Sequence, residues 1–167
     1  MVVILMSKNE KILEILEKNS DASHEQIAIM LDLTIEEVEE SIKKYEEDGV
    51  ILKRGALINW EKTDKEFVTA LIELKVTPQR GEGFDKIAER IYRYPEVKSL
   101  YLMAGAFDLT VVIEGKTMKE VALFVSDKIA PMECVLSTAT HFVLKKYKDN
   151  NVIFEDNTKD DRQVITL

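Results

Sequence analysis

One cysteine, Cys134, is all the thiol in 167 residues. That excludes an intrachain disulfide and a cysteine metal cluster. Cys134 stands among apolar residues and reads as a buried structural thiol in a chain of the reducing cytosol. Histidine is nearly as scarce: His24 and His141 are the two present. No nucleophile-base-acid set, metal-ligand spacing or phosphate-binding glycine loop can be drawn, so no enzyme, metal or cofactor is expected. No apolar run approaches the roughly 18 residues a transmembrane helix needs, so the chain reads as soluble and without a membrane partner. The apolar opening Met1 to Met6 lacks a basic n-region and meets Ser7, Lys8, Asn9 and Glu10 too soon for a signal peptide. It reads as an added or mis-started leader. Positive charge is also short. The formal net charge is −8, and residues 1–60 carry −6 of it, with seven basic side chains against thirteen acidic ones. That counts against a nucleic-acid partner, whose affinity originates in neutralised phosphates.

The length suits one ordinary domain or two small ones, each able to bury a core. Ser7 with Glu10, Ser23 with Gln26, and Thr34 with Glu37 have capping-box spacing, which marks three helix starts. Ile12, Leu13 and Leu16 give the first helix an apolar stripe; Ile27, Met30 and Leu31 serve the second; Ile35, Val38, Ile42 and Tyr45 serve the third. Asp32 and Leu33 alone separate the second from the third, a helix-turn-helix spacing, and Asp48-Gly49 closes the third. Val50 to Leu52 and Ala56 to Ile58 then flank the basic turn Lys53-Arg54-Gly55, which predicts a wing-like hairpin.

Beyond a polar connection, Trp60 to Glu66, the apolar residues Val68, Ala70, Ile72, Leu74 and Val76 recur at period two, as in a half-buried strand. Phe84, Ile87, Ala88, Ile91 and Tyr92 repeat at helical spacing up to Pro95. Strands are expected at Val97 to Ala104 and Leu109 to Glu114, a helix at Lys119 to Ile129, and a last strand near Val135 to Lys146. The order β-α-β-β-α-β predicts a four-stranded antiparallel sheet with two helices on one face, the ferredoxin-like plan. Residues after Asp149 are polar and acidic, and read as a loosely held tail.

Helix-turn-helix, basic hairpin and β-α-β-β-α-β unit, in that order, resemble the leucine-responsive/asparagine-synthase (Lrp/AsnC) regulators over about residues 7–155. The short markers are EEDGVI at 46–51, AGAFDL at 104–109, similar to the family's Gly-x-x-Asp turn, and STATHFVLKKYK at 137–148, similar to its last strand. The expected fold is α+β: a winged helix-turn-helix DNA-binding domain at 1–60, a linker at 61–66, a ferredoxin-like (ACT-like, or RAM) effector and oligomerisation domain at 67–155, and a polar tail at 156–167. The resemblance implies an amino-acid-responsive transcription regulator in the cytoplasm. It implies pairing of the C-terminal domains through their sheets, rings of dimers that are often octamers, and a free amino acid bound where subunits meet.

With the apolar residues of the third helix turned inward, Glu36, Glu40, Lys43, Lys44 and Glu47 fall on its outer face. Family members commonly carry arginine where Ser41 stands and often proline at Ile35, so this chain departs from them at the expected DNA contact. Phosphates are left to Lys43, Lys44, Lys53 and Arg54, with Thr34 and the helix-start N–H groups, while Glu36, Glu37 or Glu40 would meet bases. The alternative is an ordinary solvated face on a motif that acts through protein partners.

For the effector, Asp108 would take the ammonium and Gly105 would let backbone N–H groups approach the carboxylate. Thr138 and Thr140 would add hydroxyls, and Leu102 and Met103 would line a side-chain pocket. The plainer alternative is a hairpin turn, favourable strand residues and core packing. His24 reads as a surface residue of a capping box. His141, on the sheet face opposite Thr140, reads as a packing or dimer contact. Some tetrapyrrole decarboxylases resemble this architecture, but the chain has few arginines for propionate groups.

Overall fold

The computed structural model describes residues 8–77 and 83–154. The chain divides into two compact units, one ending at Ile58 and the other beginning at Asn59.

The first unit holds α1 (Lys8–Lys18), α2 (His24–Leu31) and α3 (Ile35–Glu47). At α2 the Ser23 hydroxyl accepts from Gln26 N at 3.2 Å while the Gln26 side chain accepts from Ser23 N at 3.0 Å. At α3 Thr34 and Glu37 make the same reciprocal pair, at 3.2 and 2.8 Å. These bonds satisfy N–H groups that a helix start leaves without an internal partner. The box expected at Ser7 lies outside the described residues. Between the helices Asp32 turns the chain with φ of 52°. Past Asp48, Gly49 takes φ of 69°, and Val50 N and Ile51 N both donate to Tyr45 O.

Ile12, Leu16, Ala22, Ile27, Ala28, Val38 and Ile42 form the buried core of this unit, with Ile15, Leu31, Leu33 and Ile51 against it. Two expected core positions are corrected. Met30 is 65% exposed and Ile35 is 39% exposed. Helices of 8 and 13 residues turn a narrow face inward, and Ala28 takes the inward place in α2 that its sequence had suggested for Met30. The expected hairpin at 50–58 is also corrected: this segment carries no paired strands.

The second unit opens with a 3₁₀ turn (Trp60–Lys62) and continues as β1 (Val68–Val76), α4 (Gly83–Tyr92), β2 (Val97–Leu102), β3 (Leu109–Gly115), α5 (Met118–Phe124) and β4 (Val135–Phe142). The sheet runs β2-β3-β1-β4, and each neighbouring pair is antiparallel. This is the ferredoxin-like plan. Ala70, Ile72, Leu74 and Val76 of β1 and Leu109, Val111 and Ile113 of β3 bury one face of the sheet. Ile87 and Ile91 of α4 and Val121 and Phe124 of α5 belong to the same core, each such side chain being worth about 1.5–3 kcal/mol when fully buried. Tyr94 meets Phe124 edge to face at 5.3 Å. Cys134 is buried in this core, as its apolar surroundings had indicated.

The strand expected to reach Ala104 ends at Leu102, and three boundaries differ further from expectation. The helix from Met118 stays α-helical only to Phe124, then loosens into a π turn (Val125–Ile129) closed by Ala130 N to Val125 O at 2.8 Å. That widening keeps Val125 and Ile129 both buried. β4 ends at Phe142, with one further bond from Val143 N to Thr69 O. Where a tail was expected, β5 (Lys148–Asp149) pairs with β6 (Val152–Ile153). Asn150 and Asn151 make the turn with φ of 44° and 65°, a backbone that asparagine tolerates better than most residues. The tail at 156–167 lies outside the described residues.

Candidate DNA-binding face and effector site

All eight residues expected at DNA are exposed: Thr34, Glu36, Glu37, Glu40, Lys43, Lys44, Lys53 and Arg54. Much of their chemistry is already engaged locally. The Thr34 hydroxyl and the Glu37 carboxylate are spent on the capping box. Arg54 donates to Glu46 Oε1 at 2.8 Å, which ties the segment after α3 back onto that helix. Lys43 lies 3.9 Å from Glu47 one turn on. His24 Nδ1 lies 3.2 Å from Glu39 Oε1 and so bridges α2 to α3. The Ser23 hydroxyl, then the backbone N–H at the helix start and the charge of His24, hold the exposed Glu25 carboxyl below its ordinary value. Sequence spacing had not indicated the Arg54–Glu46 pair, because it depends on how the irregular segment folds back.

The effector candidates fall in two places. Leu102, Met103, Gly105 and Asp108 cluster at the β2–β3 turn, closed by Met103 N to Asp108 O at 2.8 Å. Leu102 is 61% and Met103 42% exposed. Gly105 has open space where a Cβ would stand and no positive φ, so the fold of this chain does not itself demand glycine there. The Asp108 carboxylate accepts from Val76 N at 2.8 Å, and Asp108 N donates to Leu74 O at 2.9 Å. Asp108 thus caps the end of β1 where the pairing with β4 shifts between Lys75 and Val76. Thr138 and Thr140 stand on β4 opposite Leu74 and Ile72, half-buried on the helix side of the sheet. Thr138, Leu74, Leu109 and Leu102 form one row across all four strands, so β4 lies about 14 Å, three strand spacings, from β2.

One cavity, about 280 Å³, opens between α4 and β2 and includes Leu102 but none of the other five candidates. Another, about 200 Å³, lies beside β3 and α5, where Glu96 Oε2 is buried without a hydrogen-bond partner. His141 sits on the sheet face away from the helices, 3.5 Å from Glu73.

Residues 7–51 match the family model described as winged helix-turn-helix DNA-binding, and residues 69–153 match the Lrp/AsnC ligand binding domain. The chain belongs to the Lrp/AsnC family. It is 51% identical over 163 residues to the HTH-type transcriptional regulator YugG of Bacillus subtilis strain 168, covering 97% of this chain and 98% of that one. It is 32% identical to the regulator FL11 of Pyrococcus furiosus, over 87% of this chain and 93% of that one. Among solved structures, a Neisseria meningitidis transcriptional regulator in complex with L-Met shares the fold with a TM-score of 0.70 at 22% identity, over 87% of this chain and 93% of that one. This Lrp/AsnC protein is therefore a helix-turn-helix transcription regulator and not an enzyme, which removes the decarboxylase alternative. Among the described residues no helix is long and apolar enough to cross a membrane.

Proposed function

We propose that this Lrp/AsnC regulator is a cytoplasmic, dimer-based assembly that binds operator DNA through α3 and the basic segment after it, and that a free amino acid is its effector. The observation that carries the reading is the succession of a doubly capped helix-turn-helix and a ligand-binding domain in one chain. Lys43, Lys44, Lys53 and Arg54 hold phosphates, the α3 start at Thr34 adds the N–H groups that its capping box leaves free, and Glu36, Glu40 and the Glu37 oxygen not bonded to Thr34 N meet bases. Tethering several such units multiplies a modest single-site affinity by roughly 10² to 10⁴ when geometry permits.

The sheet face opposite the helices, with Leu71 and Val112 at its middle, is where two copies meet. Leu102, Met103, Gly105, Asp108, Thr138 and Thr140 serve the effector. The match to the Lrp/AsnC ligand binding domain and the L-Met complex of the Neisseria meningitidis regulator support an amino-acid ligand by family rather than by residue. Because the turn and β4 are well separated within one chain, the site is completed where copies adjoin.

A gel shift against the promoter of the protein's own gene tests the reading. Lys53→Ala/Arg54→Ala should weaken binding to all sequences and lower the salt slope by about two, one per lost phosphate contact. Light scattering should give dimers or larger. Absence of any DNA affinity at low salt, with and without amino acids, favours the second reading, a sensor acting through protein partners. The pairing of Arg54 with Glu46 and of Lys43 with Glu47 speaks for that alternative.

A further inference from the structure

The cleft between α4 and β2 has the parts of a small-molecule site in its own right. Phe84, Ala88 and Tyr92 of α4 and Leu100 and Leu102 of β2 give it apolar walls, and Asp85, in the first turn of α4, borders it. Its volume of about 280 Å³ lies just below the roughly 300 Å³ at which drug-sized ligand cavities begin, and suits a smaller molecule. Among the described residues β2 is an edge strand, with β3 its one neighbour. Met103 and Asp108 are hydrogen-bonded across the turn, so antiparallel alternation directs the backbone groups of Tyr101 toward β3 and those of Leu100 and Leu102 outward. Leu100 and Leu102, whose side chains wall the cleft, therefore also carry N–H groups that no strand among the described residues pairs. Lys98 borders the cleft too, with its ammonium 3.9 Å from Glu114.

A carboxylate on one side, strand N–H donors on the other and apolar walls between them are the complement of an α-amino acid with a large apolar side chain. The ammonium faces Asp85, the carboxylate accepts from the edge of β2, and the side chain lies against Ala88 and Leu100. We propose that this cleft is a second amino-acid site, selective for large apolar side chains and distinct from the site at the β2–β3 turn. The two share the wall residue Leu102 and no charged group. The ligand class rests on the amino-acid reading above, but the residues that bind do not.

Calorimetry of the full chain with L-leucine, L-methionine and L-phenylalanine, and with glycine and L-aspartate as controls, tests this. The three apolar amino acids should bind in a class that Asp85→Asn weakens about tenfold or more, the scale of one charge-assisted hydrogen bond. Ala88→Phe should fill the cleft and abolish that class, and Asp108→Asn should leave it intact. Glycine and L-aspartate should not enter it. Circular dichroism checks that Ala88→Phe folds; if it does not, Asp85→Asn decides alone, since Asp85 is exposed. Binding that survives Asp85→Asn unchanged and is lost in Asp108→Asn overturns the cleft and supports the turn. The reverse pattern supports the cleft and counts against the turn. No binding of the three apolar amino acids at millimolar concentration overturns the cleft proposal.

Discussion

The two units are held together by interactions of different range. In the first, the backbone and capping bonds that set the turns span three to six residues: two capping boxes, a left-handed turn at Asp32, and Tyr45 O bonded to Val50 N and Ile51 N. In the second they span the domain, with β1 flanked by β3 and β4 from far along the chain. Function follows the same division. The candidate DNA face is a surface on which Lys43 and Arg54 pair with Glu47 and Glu46 close by in the chain, whereas the candidate effector residues owe their placement to sheet register. A change in the first unit should act locally. One in the second unit should propagate across the sheet.

The largest expected effect tests whether the units are energetically separate. Ile27→Ala and Ile72→Ala each empty a fully buried position and should cost about 2–5 kcal/mol. By amide exchange, the first should loosen residues 8–58 alone and the second 68–142 alone. Loss of protection in both units from either change would break the comparison.

Next in size is Asp108. Asp108→Ala leaves Val76 N–H without its acceptor and should destabilise the second unit by about 1–3 kcal/mol. Asp108→Asn keeps an acceptor oxygen and should cost little in chemical denaturation. If Asp108 also receives the effector's ammonium, both variants lose the amino-acid class bound at the β2–β3 turn in calorimetry. If its work is only to cap β1, Asp108→Asn binds normally.

A smaller effect is expected at α3. Thr34→Ala removes the hydroxyl that accepts from Glu37 N and should lower thermal stability by about 1 kcal/mol, with the exchange change confined to α2 and α3. Smallest is Glu46→Gln. Removing the Glu46 charge from beside Arg54 should strengthen DNA binding severalfold with little change in the salt slope, because Arg54 already holds its phosphate and only loses a competitor. Unchanged affinity would mean that Arg54 faces away from DNA.

The range of each interaction also decides what could be read in the sequence. Ser23/Gln26 and Thr34/Glu37 were legible because the partners of a capping box lie within four residues. The alternation in β1 and the helical spacing of α4 were legible because burial on one face repeats at a fixed period. Met30 and Ile35 were misjudged since periodicity allows a wider apolar stripe than a three-helix core has room to cover. Basic turn residues between apolar triplets at 50–58 suggested a hairpin, but nothing in the spacing foretold that Arg54 would reach back to Glu46.

Asp108 was singled out for its charge. Its bond to Val76 N depends on the register shift at Lys75/Val76, which three strands must meet to produce. Asp85 escaped notice because the cleft it borders appears only when α4 is laid over the edge of the sheet.

The sheet order has a consequence for how the chain comes off the ribosome. β1 is an inner strand, yet its partners are the third and fourth strands to be made: Leu74 pairs with Leu109 and then with Thr138. Until Phe142 has emerged, the apolar face of β1 has no complete sheet to join, and non-local pairing of this kind is slow and exposed to aggregation. The three-helix unit has no such wait, since its contacts close within the first 58 residues. A growing chain therefore presents a folded head on an unfinished body. Copies translated close together on one message would present bare β1 edges to one another, so the wait for β3 and β4 is where a chaperone would matter most.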